Sequence, residues 1–231
     1  MSLKLVTFDL DDTLWDVAPV MHNAEARLRD WLAREAPRLG PIPIEHLWAI
    51  RARQLAAEPA LKHRLSELRR RILLQALLEA GYPDAEAAHL AEGGFQVFLA
   101  ARHEVDFFPD VHATLEHLAN QFILGVITNG NADVQRLGLA DYFRFAVSAE
   151  QVGIGKPASE PFAAALAHAG VEAVQAAHIG DHPGDDIAGA LAAGFRAIWF
   201  NPQGNAWGEA TRPHAEVRSL AELPDLLRGW R

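Results

Sequence analysis

A short apolar run over residues 3–10, carrying Val6, Thr7 and Phe8, passes without a linker into the acidic stretch Asp9-Leu10-Asp11-Asp12-Thr13-Leu14. The next run of that kind does not begin until residue 122. Between them, residues from about 20 to 101 read as helix, rich in Ala, Leu, Arg and Glu and punctuated by Pro37, Pro41, Pro43, Pro59 and Pro83. A block of that length with no strand in it is an insert, not a crossover helix. After it, apolar runs and helical patterns alternate. Asp110 is placed to cap a helix through about residue 118, and strands follow at 122–127, 145–148, 177–179 and 197–200. Helices are expected at 159–168, at 186–193 (stopped by Gly194) and at 219–227. Strand–helix alternation on both sides of an insert predicts an α/β fold, a Rossmann-like doubly wound parallel sheet core with an inserted all-helical cap domain. The core is expected over 1–15 and 103–231 and the cap over 16–102, with hinges at 16–20 and 102–109.

Composition narrows the function. Half the 231 residues are hydrophobic and 22% are charged, as in an ordinary soluble domain. No stretch approaches the roughly 18–20 apolar residues of a membrane span. Lys4 precedes an apolar run that ends in acids, which is not a secretory signal, so a cytoplasmic protein is expected. The absence of cysteine excludes disulfides, thiolate metal sites and a cysteine nucleophile. The net charge is −9, yet residues 16–100 hold eleven basic and eleven acidic residues, so the whole excess lies outside the insert. That balance excludes a general nucleic-acid partner. The expected partner is a small molecule, without nucleic acid or membrane, bound by a monomer or homodimer.

The chemistry-bearing residues follow the apolar runs, where open α/β sheets bind ligands. Asp9 ends the first run, where a carboxylate can serve as nucleophile toward a phosphate ester. Asp11, two residues on, can protonate a leaving oxygen and later take a proton from water. Asp12 and Thr13 read as braces of that loop, with Thr13 also able to orient Asp9, and Trp15 reads as packing. After the second run, Ile127-Thr128-Asn129-Gly130-Asn131 offers a hydroxyl and the backbone N–H groups of Asn129 and Gly130 to phosphoryl oxygens. Lys156, in Gly153-Ile154-Gly155-Lys156-Pro157, can neutralise both a phosphate and a carboxylate. Asp181 follows the fourth run in Ile179-Gly180-Asp181-His182-Pro183-Gly184-Asp185-Asp186-Ile187. Crowded carboxylates raise one another's pKa unless a cation joins them, and Mg2+ takes hard oxygen ligands. Asp186 and Asp185 compete for a supporting place, one of them being left as a helix N-cap. His182 reads as a loop residue and the other histidines as surface.

The order and content of these four segments resemble the haloacid dehalogenase-like hydrolase superfamily, in its phosphatase branch with a helical cap inserted after the first motif. The resemblance implies Asp9 as nucleophile and Asp11 as acid and base. It implies Thr128, Asn129 and Lys156 as the phosphate-holding residues. A Mg2+ site would be formed by the Asp9 carboxylate, the Asp11 backbone carbonyl and Asp181, with Asp186 in support. Asp11 favours phosphoryl transfer, because the matching position in dehalogenases of this superfamily is not an aspartate. The stretch Ile127 to Ala132, with Leu137-Gly138-Leu139 and Asp141-Tyr142-Phe143, looks like bacterial phosphatases acting on flavin mononucleotide and a phosphorylated ribitylaminopyrimidine. A phosphosugar mutase of the same superfamily and a phospho-accepting signalling module are the alternative readings. In the insert, Arg69-Arg70-Arg71 reads as a solvated helix face pairing with Glu67 and its neighbours, or else as an anion contact. Trp31, Trp48, Phe95 and Phe98 read as packing between cap helices.

Overall fold

The computed structural model describes residues 2–230. The strands are Leu5–Phe8 (β1), Ile123–Thr128 (β2), Phe145–Ser148 (β3), Ala176–Gly180 (β4), Arg196–Phe200 (β5) and Ala215–Val217 (β6). They form one parallel sheet in the order β3-β2-β1-β4-β5-β6. Every residue of β1 and β4 is buried, as expected of central strands covered on both faces. The chain leaves β1 with β2 on one side and β4 on the other. This reversal of strand order opens a crevice at the carboxyl ends of the three strands. Asp9, Thr128 and Asp181 stand at those ends. Beneath the sheet, Phe162, Ile187 and Phe195 pack with Leu5, Ile127 and Ala197 in one core cluster.

The chain divides into two compact units, one made of Met1–Asp16 with Asp106–Arg231 and the other of Val17–Val105. The second unit is helical throughout, with Val17–Glu35 (α1), Ile44–Ala57 (α2), Leu65–Glu79 (α3) and Asp84–Ala101 (α4). Its core is apolar side chains at helical spacing, including Leu28, Leu73, Leu77, Phe95 and Phe98. The three arginines are bound within this unit. Arg69 lies over the Phe98 ring at 3.6 Å and pairs with Glu25, and Arg70 lies over Phe95 at 3.8 Å and pairs with Glu92. Arg71 bonds Glu67, one turn away, and Glu58. They thus act as fasteners of α3 within its own unit. Trp31 packs against the cluster, but Trp48 does not join it: its side chain is 62% exposed on α2, near the exposed Ile44.

The core helices are Val111–Ala119 (α5), Ala149–Val152 (α6), Ser159–Ala169 (α7), Gly189–Ala192 (α8) and Leu223–Arg228 (α9). Three local expectations change. Asp110 precedes α5 but adopts a left-handed conformation (φ 65°) and makes no side-chain cap; only its carbonyl accepts, from Thr114 N–H. The helix expected over 186–193 begins earlier, as a π-helical turn over Pro183–Ala188, and only its second half is α-helical. The closing helix begins with a 3-10 turn, Leu220–Glu222, under a Ser219–Glu222 capping box. β6 has no apolar run of its own; a three-residue edge strand needs only a free sheet edge to pair with.

Candidate active site

Lys156 is the centre of the site. Its Nζ lies 2.5 Å from Asp9 Oδ1, 2.6 Å from Asp186 Oδ1 and 2.6 Å from the Ile127 carbonyl, so each ammonium proton has an acceptor. All three side chains are nearly removed from solvent. Asp9 sits there because it follows β1 directly and its N–H is held by the Ile179 carbonyl, 2.9 Å away. Lys156 arrives on the loop after α6, which a Ser148–Gln151 capping box starts and left-handed Gly153 ends; its peptide bond to Pro157 is cis.

Asp186 reaches the cluster from within the π-helical turn Pro183–Ala188. Its Oδ1 accepts from Lys156 and from His178 Nε2 at 3.1 Å, and its Oδ2 from the His182 N–H at 3.0 Å. The fit depends on Gly180: a Cβ there would lie 2.2 Å from Asp186 Cγ. The two acids are thereby distinguished. Asp185 is half-exposed, and its Oδ2 accepts from Asn129 Nδ2 at 3.1 Å. Neither acid is the N-cap; His182 is, its Nδ1 accepting the Asp185 N–H at 2.9 Å.

Asn129 spends its amide inside the protein. Its Nδ2 donates to the Lys156 carbonyl and to Asp185, tying three loops together, while Oδ1 packs against Gly155 with no hydrogen bond among the described residues. A Cβ on Gly155 would lie 2.3 Å from that oxygen. Thr128 is buried at the end of β2, and its Oγ1 accepts the Gly130 N–H at 3.0 Å, which leaves the hydroxyl proton to give. The Gly130 N–H, expected to face phosphate, is taken up by that bond. Thr13 leans toward Asp181 Oδ1 at 3.4 Å rather than toward Asp9. Trp199 on β5 fixes the Asp181 carbonyl through Nε1 at 2.8 Å. Asp11 is half-buried beside Trp15, whose fully buried ring meets Phe107 edge-on at 5.9 Å.

Carboxylate oxygens of Asp9, Asp181 and Asp186 lie within 4.8 Å of one another. Burial raises Asp9 well above the usual carboxylate range despite Lys156, and the charges of Asp186 and Asp11 add to it. Burial, with the charges of Asp186 and Asp12, pushes Asp181 up to about 6. Asp186 goes the other way: burial alone would raise it, but Lys156 and His178 hold it ionised well below the usual range. Lys156 is raised in turn by Asp186 and Asp9, which outweigh its own burial. The three carboxylates crowd one ammonium and could together hold a hard divalent cation.

His178 was not legible as a site residue; the expectation of surface histidines fails there. The ring is fully buried on β4, packed edge-on against Phe162 at 5.4 Å. Its Nδ1 is 2.9 Å from Thr7 Oγ1, the in-register neighbour on β1. A signal existed, because a histidine inside a continuously apolar strand needs a buried partner for each ring nitrogen.

Comparison with known proteins agrees with this architecture. The family described as haloacid dehalogenase-like hydrolase matches residues 3–194. This chain belongs to that family. Along 97% of its length it is 34% identical to the 5-amino-6-(5-phospho-D-ribitylamino)uracil phosphatase YigB of Escherichia coli K12, covering 96% of that protein. It is also 34% identical to the phosphoserine phosphatase of Thermus thermophilus, over 96% of this chain and 98% of that one. A crystal structure described as a 2-haloacid dehalogenase from Pseudomonas syringae pv. Tomato DC3000 superposes with a TM-score of 0.98. That protein is 61% identical, over 99% of this chain and 100% of the other. No helix among the described residues of this family member is long and apolar enough to cross a membrane.

Proposed function

We propose that this hydrolase is a Mg2+-dependent phosphomonoesterase working through an aspartyl-phosphate on Asp9. The observation that carries the reading is the buried contact of Lys156 with Asp9 and Asp186, with Asp11 two residues beyond the nucleophile. Lys156 neutralises Asp9 and meets a phosphoryl oxygen, and the Thr128 hydroxyl and the Asn129 backbone N–H donate to the others. An Asp9 oxygen forms a bond to phosphorus as the bond from phosphorus to the ester oxygen breaks. Asp11 gives that oxygen a proton, and the alcohol leaves. Asp11, now ionised, takes a proton from water as the water oxygen bonds to phosphorus, and the Asp9–phosphorus bond breaks to release phosphate. Carboxylates of Asp9 and Asp181 and the Asp11 carbonyl would hold Mg2+, with Asp186 in support; when bound, the ion would offset the carboxylate charge and act as a Lewis acid toward a phosphoryl oxygen. We assign to the helical unit Val17–Val105 the role of a substrate-selecting cap. The favoured substrate is flavin mononucleotide or a related ribityl or sugar phosphate, which the name of the Escherichia coli relative supports.

The test is phosphate release from a panel of phosphomonoesters, with and without Mg2+, beside Asp9→Asn. Continuous Mg2+-dependent release that the variant loses supports the reading. A stable phosphorylated protein without turnover would move it to a phospho-acceptor, and an isomerised ester without free phosphate to a mutase. The name of the Pseudomonas structure makes a dehalogenase a specific second reading. Asp11 opposes it, since a departing halide takes no proton. Halide release from a 2-haloacid at a rate above phosphate release would reverse the choice.

A further inference from the structure

Thr7 and His178 stand side by side across the β1–β4 ladder, beneath the reacting groups, and the reaction above gives neither a part. Both are fully buried; Thr7 contacts the His178 ring, and that ring contacts Asp186. His178 Nε2 lies 3.1 Å from Asp186 Oδ1, a carboxylate already accepting from Lys156. An ionised carboxylate only accepts, so Nε2 must carry a proton. In the neutral ring Nδ1 is then an acceptor, and the Thr7 hydroxyl, 2.9 Å away, can donate to it and so support the tautomer that Asp186 demands. The same hydroxyl has the Ala177 carbonyl at 3.2 Å as its alternative acceptor. Phe162 packs edge-on against the ring.

The arrangement matters because Lys156 has no proton to spare. All three meet acceptors, so a phosphoryl oxygen can be bound only if one is given up. The Ile127 carbonyl is fixed in β2, and Asp9 must turn toward phosphorus. Asp186 is the acceptor whose place decides where the ammonium goes. Building on the function proposed above, we propose that His178, held by Thr7 in its Nε2–H tautomer, is a positioning residue that anchors Asp186 while Lys156 exchanges a proton contact for the phosphoryl group. Asp186 then keeps a donor on Oδ1 and the His182 N–H on Oδ2 throughout the exchange, and Lys156 moves against a fixed counter-ion.

The experiment compares the native enzyme with His178→Gln, His178→Leu and Thr7→Val at saturating Mg2+. Turnover is measured together with the tautomer of the His178 ring, read from its 15N chemical shifts. The native ring should be protonated at Nε2 alone, and Thr7→Val, which keeps shape and removes the hydroxyl, should leave Nδ1 without a donor and shift its 15N resonance. His178→Leu should lower kcat about tenfold or more, the value of one hydrogen bond to a charged group, with a smaller change in KM. His178→Gln, which keeps a donor near the same point, should recover most of that loss. A native ring protonated at Nδ1, or a folded His178→Leu enzyme with native kcat, overturns the proposal. Should His178→Leu fail to fold, Thr7→Val decides: an unchanged Nδ1 chemical shift and unchanged kcat overturn it. A native protein that turned over no ester would remove only the proposed function, and the ring spectra of native and Thr7→Val protein would still decide the positioning role.

Discussion

The Nζ of Lys156 stands 2.5 Å from Oδ1 of Asp9, with both side chains almost out of solvent. The same ammonium is 2.6 Å from Asp186, so one cation balances two buried carboxylates and Asp181 stands close by with a third. Breaking a buried pair from either side therefore has different consequences.

Lys156→Met leaves Asp9 and Asp186 buried without their counter-ion, and should cost about 3–5 kcal/mol of stability. Asp9→Asn removes one of the crowded charges while its amide oxygen still accepts from Lys156. It should abolish turnover yet melt at or above the native temperature. Urea denaturation of the two variants beside native protein checks the contrast, and equal destabilisation would contradict it.

The raised pKa of Asp181 sets a pH dependence. Its folded value of about 6 lies above the ordinary 3.8, so between those values the folded state binds more protons than the unfolded. Without a divalent cation, this group's contribution to stability is full below pH 3.8 and is lost as the pH rises through about 6. Mg2+ requires the ionised form, so its binding should weaken as the pH falls below about 6. Melting curves at pH 5 and pH 7.5 should show a larger Mg2+-induced rise at the higher pH, and Asp181→Asn should remove the difference.

Gly180→Ala places a methyl group 2.2 Å from Asp186 Cγ, at a position where the neighbour is a carboxylate bonded on three sides. Asp186 must move and take Lys156 with it. The substitution should cost about 1–3 kcal/mol and lower turnover further than its effect on folding accounts for. Native-like turnover in a folded variant would show that Asp186 does not set the place of Lys156.

Asp11→Asn tests the acid. Turnover of an alkyl phosphate should drop by roughly 100-fold or more, since its alkoxide leaves poorly without a proton. An ester of a nitrophenol, whose anion is stable, should lose much less in the first step. Equal losses for both esters would assign Asp11 another part.

The alternation of apolar runs with helical stretches, and the placing of Asp9, Thr128 and Asp181 at their ends, make the parallel sheet and the family legible in the sequence. These signals are local: a strand buried on both faces must be apolar along its length, and residues after it must lie at its end. Which of Asp185 and Asp186 meets Lys156 is not a local matter. It follows from a π-helical turn that spacing cannot distinguish from an α-helix start, and from the space that Gly180 leaves. Asn129 is similar, because its side chain is directed by a carbonyl 27 positions away and a carboxylate 56 positions away. Trp48 reads as packing from its residue type, and only the arrangement of the helices leaves it exposed.

By itself, then, the sequence determined which residues could do chemistry and at which strand ends they would stand, because backbone periodicity is set within a few residues. Tertiary structure alone decided which of them touch. Lys156 meets Asp9 across 147 positions and His178 meets Thr7 across 171. A buried charge takes its state and direction from whatever groups the fold brings within hydrogen-bonding reach, and at those separations only the packed sheet supplies them.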